Sequence, residues 1–261
     1  MAAVVESRGR HGIVLDLDAG RPTMRLDRGG YRFEHSDFPA AFFEIDGRLR
    51  LVHGTDWNRL DISDPRTGAL LTDRSPPSYR RGEERPEHYL DYFHGGLVVS
   101  PGGEWIMDNG WVWMPLGYVT AWGLRRWLRD NPWESEDGPS KRWLCGRHYY
   151  WDGPLCWIDD RTVAIWGYGN DDENLIPAAL LFDAETGRLT RWFAGPAGSF
   201  AFDRYLFSYS TEAGTSVWDI ATGERLLHDA SFCPTAYHPG AGRFITVLPG
   251  GQFRLTRLVE G

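Results

Sequence analysis

Two carboxylates, Asp91 in "YLDYF" and Asp152 in "YYWDG", stand where apolar runs begin. Glycosidase or lyase chemistry needs such a pair at a fixed separation across a pocket, although single Asp residues at these places also serve as caps and turn formers. Asp171, Asp172 and Glu173 in "GNDDEN" are hard oxygen donors of the kind calcium accepts. They lack the alternating spacing and fixed Gly of a calcium loop, so a solvated acidic loop without metal is expected. His148, Tyr149 and Tyr150 run together and could stack on a ligand and hydrogen-bond it, or pack within the fold. Trp57 in "TDWN" and Trp111 in "DNGWVWM" fall between strand patterns, as does Trp133. An exposed indole there would anchor a partner. Arg81 and His88 lie in the long polar stretch "SPPSYRRGEERPEHYLDYF". No Gly-x-Ser-x-Gly elbow, phosphate loop or His-Glu-x-x-His pair is present to support hydrolase, nucleotide or zinc-protease chemistry.

Composition narrows the classes further. The 261 residues are 42% hydrophobic and 25% charged, the balance of a folded chain, with 13 Trp among the aromatics. A net charge of −8 argues against a general nucleic-acid binder and against an anionic membrane surface. Glu6, Arg8 and Arg10 interrupt the N-terminus where a signal peptide needs an apolar core, so a cytoplasmic location is expected. Three cysteines, Cys145, Cys156 and Cys233, form no Cys-x-x-Cys pair and read as small buried hydrophobes. No cofactor is expected.

The elements that must position these residues are short strands. Gly (31) and Pro (16) are spread along the whole chain, which indicates many turns. One turn recurs as "DPRTG", "DAETG" and "DIATG", with a looser copy in "DLDAG", each between apolar runs. Its Asp accepts bonds from backbone N–H groups two or three residues on, and its Gly supplies the positive φ that closes a hairpin. A second turn recurs in "FFEIDGRLRLV", "LVVSPGGEWIM", "LCWIDDRTVAIW", "FAFDRYLFSY" and "TAYHPGAGRFITVL". The strands it opens begin at Leu49, Trp105, Thr162, Tyr205 and Phe244, a repeat of roughly 40–57 residues that marks a β-propeller. With strands a to d in each repeat, the second turn joins a to b and the Asp-x-x-x-Gly turn joins c to d. The one helix expected is "GLRRWLRDN", stopped by Pro132.

"VWDIATG", with Trp218 and Asp219 closing a strand, and "SPGGEW" resemble the WD-repeat family. The resemblance implies a propeller acting as a rigid platform for protein partners, and it carries over no site residue.

The expectation is therefore an all-β chain forming one domain, a propeller of five four-stranded blades with six as the alternative. The N-terminal segment, Gly12 to Leu26, would complete the last blade and so tie the chain ends together. The long connections, Ser75 to Phe93, Asn131 to Gly153 and Gly167 to Pro177, would share one face with Trp57 and Trp111. Long loops in a compact domain are more often functional than idle, so that face is the expected working surface. A protein- or peptide-interaction module is the first reading. The alternatives are a glycosidase or lyase using Asp91 and Asp152, and a lectin-like binder of small ligands.

Overall fold

The computed structural model describes residues 1–75, 79 and 82–257. The chain is all-β, and its contacts divide it into two units, Met1–Asp152 with Ala184–Gly187 and Gly153–Asp183 with Arg188–Gly261.

Unit 1 opens with an antiparallel sheet of β1 (Ala2–Val5), β2 (His11–Asp16) and β3 (Arg21–Asp27). Next comes a sheet of β4 (Ala40–Ile45), β5 (Arg48–Asp56) and β6 (Arg59–Ser63), then a four-stranded one of β7 (Phe93–Val99), β8 (Trp105–Val112), β9 (Leu116–Gly123) and β10 (Arg142–His148). Between β9 and β10 lie two short helices, α1 (Leu124–Arg129) and α2 (Glu134–Asp137). Strand alternation sends neighbouring residues to opposite faces, so a sheet with a neighbour on each side packs adjacent residues into different cores. That is what happens in β4–β6: Leu51 packs with Val14 and Leu26 of the first sheet, while Val52, Leu60 and Ile62 pack with Ile106, Trp122 and the α1 residues Leu124 and Trp127.

Unit 2 repeats the plan. Its sheets are β11 (Leu155–Trp157), β12 (Thr162–Tyr168), β13 (Ile176–Asp183) and β14 (Arg188–Ala194); β15 (Ser199–Phe202), β16 (Leu206–Ser210), β17 (Gly214–Trp218) and β18 (Arg225–Asp229); and β19 (Ala236–His238), β20 (Arg243–Val247) and β21 (Phe253–Thr256). The middle sheet is again buried on both faces. Phe200, Leu206 and Trp218 meet Ala164, Ala179, Leu181 and Phe193, while Ala201, Phe207, Tyr209 and Val217 meet Phe244 of the last sheet.

The recurring turns are hairpins, as the sequence implies. In the β17–β18 turn the Asp219 carboxylate accepts from Ala221 N at 2.7 Å, and Gly223 N bonds back to Asp219 O at 2.7 Å with φ at 80°. The copies with Gly20, Gly187 and Gly223 also carry a bulge three residues after the Gly, opposite Val14/Leu15, Leu181/Phe182 and Val217/Trp218, whereas the copy with Gly68 leads only to a single bridge, Ser63 with Leu70. The β4–β5 turn has positive φ at both Asp46 (51°) and Gly47 (67°), the conformation that matches strand twist in a two-residue loop.

Three expectations need correction. The described residues form six sheets, the number given as the alternative, because the N-terminal segment is a sheet of its own, and β1–β3, β4–β6 and β19–β21 have three strands rather than four. No ladder among them joins that segment to β19–β21, so the expected closure by shared strands is not seen. Finally, Asn131 to Gly153 is not one loop: it holds α2 and β10, and its first half is a c-to-d connection.

Candidate functional site

In unit 1 the connections β3–β4, β5–β6, β8–β9 and the start of β10–β11 each bring one aromatic ring to Phe93 of β7 and Trp111 of β8, six rings in all. Trp57, half-buried in the β5–β6 turn, lies 5.3 Å from Tyr31 and 4.7 Å from Phe93 by ring centroids. Phe93 stacks on Trp111 at 4.2 Å and 11°, and Trp111 stacks in turn on Trp151 at 5.5 Å and 23°. Trp113 closes the group edge-on to Phe93 and Trp111. Offset and edge arrangements of this kind are the favoured ones for aromatic pairs. Trp111 is buried and belongs to β8 rather than to a loop, whereas Tyr31, Trp113 and Met114 are 49%, 47% and 68% exposed. The Arg32 guanidinium lies 5.2 Å from the Trp113 ring, on a residue held at φ 56°.

One buried residue holds the segment that carries Tyr31 and Arg32. Arg28 donates from Nε to Gly9 O at 2.8 Å and from its two terminal nitrogens to Asp37 O, Phe33 O and Ser36 O at 2.5–2.9 Å. Burial lowers its pKa to about 10, still well above neutrality. Beneath the rings lies a buried polar layer. His94 Nδ1 is 2.5 Å from Asp108 Oδ2, Asp108 Oδ1 accepts from Gly95 N, and Ser36 Oγ donates to His94 O. The void beside Tyr31, Trp57 and Phe93 measures about 10 Å³, room for one water.

The remaining expected site residues fall in several places. Asp152, at φ 56°, accepts from Arg8 at 3.1 Å through Oδ2, while its Oδ1 has no hydrogen-bond partner among the described residues. Burial, with a further push from Asp37 and against the pull of Arg8, raises its carboxyl to about 7. Asp91 is exposed and acts on Tyr89. His88 lies against α2, its Nδ1 2.9 Å from the Asp137 carboxylate and its ring stacked on Trp133 at 4.7 Å. His148 and Tyr149 are exposed, and Tyr150 lies half-buried under Arg147. In unit 2, Asp171 caps a 3₁₀ turn by accepting from Glu173 N at 3.2 Å, and Asp172 and Glu173 are exposed. Arg81 lies outside the described residues.

Of the expected set, the ring cluster unites Trp57 and Trp111 alone. Tyr31, Arg32, Phe93, Trp113 and Trp151 complete it. The "WVW" spacing was the one signal for Trp113; Tyr31 and Arg28 gave none.

No protein-family model matches the chain, and no curated protein matches it. Among solved structures it is similar to BamB from Moraxella catarrhalis, with a TM-score of 0.49 and 16% identity over 96% of this chain. The chain spans 65% of that chain's length. No helix among the described residues is long and apolar enough to cross a membrane.

Proposed function

We propose that this protein is an interaction module for a protein or peptide, built as a β-propeller whose sheets are its blades, and that the partner docks on Tyr31, Arg32, Trp113 and Met114. One observation carries the reading: a continuous ring cluster runs from fully packed Trp111 to rings that are half exposed at the surface. Its composition, Trp, Tyr and Arg at the centre, is that of binding hot spots, and the buried part lowers the entropy cost of holding the exposed part still. The face-to-face packing of successive sheets in each unit supports the propeller.

The enzyme alternative rests on Asp152, whose raised carboxyl suits a general acid. It has no second carboxylate beside it to support that role: Asp37 and Asp108 only add to the burial that raises it, and Asp91 is exposed. A lectin-like binder would repeat its site from sheet to sheet, and the ring cluster does not recur among the described residues.

The test is a photoreactive residue placed at Met114, which is expected to cross-link a protein partner in cell extract. Tyr31→Ala with Trp113→Ala should reduce that cross-link at least tenfold while leaving the near-UV circular dichroism of the buried rings in place. Undiminished cross-linking by the double variant would refute the reading.

A further inference from the structure

The outer part of the ring cluster carries hydrogen-bond donors that nothing takes up. Tyr31 Oη, Trp57 Nε1 and Trp113 Nε1 have no hydrogen-bond partner among the described residues, whereas the inner ring Trp151 donates from Nε1 to His35 O at 2.9 Å. Arg32 beside them is exposed, and its guanidinium meets the Trp113 ring rather than a carboxylate. Asp56, the carboxylate lining the void, accepts from Trp57 N through Oδ1 at 2.7 Å. It also offsets Arg32 in charge, so charge selects neither an acidic nor a basic ligand.

The rings are set at steep angles. Tyr31 is edge-on to Trp57 at 68° and Trp113 edge-on to Phe93 at 90°, so the surface is notched rather than flat. Tyr31 and Trp113 lie 5.8 and 5.7 Å from Phe93 by ring centroids, close enough for one short ligand to touch both. All of these residues except Phe93 lie on strand connections, whereas the closing of a propeller packs sheet faces together.

Apolar notches with N–H and O–H groups between them are complemented by a segment that is apolar, carries free carbonyls and brings few N–H groups of its own. A helix does not meet this need, because its carbonyls are bonded within it. A β-strand brings an N–H at every residue, and each requires an acceptor. Proline has no N–H, and in the polyproline II conformation its carbonyls stay unbonded while its rings recur every three residues, about 9 Å. Aromatic-lined grooves recognise that conformation for these reasons.

We propose, building on the interaction surface of the preceding subsection, that its ligand is a proline-rich segment in the polyproline II conformation. The proline rings seat between Tyr31, Trp57 and Trp113, and the segment's carbonyls accept from Tyr31 Oη and the two indole N–H groups.

The probe is acetyl-decaproline amide, titrated into the full chain to about 2 mM. The indole N–H resonances of Trp57 and Trp113 should move and saturate, and that of Trp151 should stay in place. A Gly-Ser decapeptide should move none of them. Tyr31→Phe with Trp113→Phe keeps a ring at each place and removes both donors, and should weaken binding roughly tenfold with the near-UV circular dichroism retained. Decaproline should also compete away the cross-link formed from position 114. Unmoved indole resonances at 2 mM, equal binding of the Gly-Ser peptide, or full affinity in the double Phe variant would each overturn the proposal. A cross-link that forms but resists decaproline would overturn the proline-rich ligand and leave the interaction surface standing, whereas failure of that surface is read from cross-linking that survives the double Ala variant.

Discussion

Asp152 sits on left-handed backbone with one oxygen on Arg8 and the other without a hydrogen-bond partner among the described residues. Its carboxyl titrates near 7 folded and near 3.8 unfolded, so between those values the folded state holds the proton that the unfolded state has released. Stability from this group is therefore greatest below about pH 4 and declines until about pH 7. Asp152→Asn removes the titration: its stability relative to the parent should improve by roughly 2–4 kcal/mol from pH 4 to pH 8 in chemical denaturation. A flat difference would show that Asp152 is not the buried acid described. Arg28 gives a second prediction at this scale. Its planar fork serves four carbonyls at once, and an ammonium cannot reach them all. Arg28→Lys is expected to cost ~2–3 kcal/mol and to speed amide exchange over residues 29–37. Neither residue's role was readable beforehand, because both depend on carbonyls and charges that only folding brings near.

Among the elements, the repeated turn is where sequence and structure agree most closely. Asp219 and Gly223 act through bonds to residues within four positions, so the five-letter phrase contains the whole cause. Two glycines separate backbone strain from packing. At Gly47 a Cβ would meet nothing, so Gly47→Ala should cost about 1 kcal/mol for its positive φ alone. At Gly223 a Cβ would come 2.9 Å from the Phe193 Cβ, so Gly223→Ala should cost about 2–3 kcal/mol. Thermal melts of the two variants check the order. The stretch from Asn131 to Gly153 was harder to read. Its buried carboxylates Glu134 and Glu136 look like loop residues, but Glu136 pairs with Arg74, which also pairs with Asp61 of β6. That partner lies 62 residues away, beyond any local signal.

At the scale of the molecule, three sheets stack in chain order within each unit, and each stack depends on a few large side chains. Phe244 and Tyr237 bring the last sheet into the core of its neighbour: Phe244 has ring contacts to Phe207, Tyr209 and Phe232, and Tyr237 of β19 lies against Phe207 and Phe244. Phe244→Ala should cost about 3–5 kcal/mol and release amide protection in β19–β21, with β7–β10 unchanged. Strand alternation and short-range turn chemistry are written in neighbouring letters, so the sequence by itself determined an all-β chain, its recurring turns and, to within a residue, where five of its strands begin. Tertiary structure decided that the N-terminal segment is a sheet of its own, that Trp111 is buried while Trp113 is exposed, and that Asp152 is drawn in against Arg8 while Asp91 stays exposed. The reason is physical: a hairpin closes through bonds between residues a few places apart, whereas burial and charge environment are set by surfaces that meet across tens of residues.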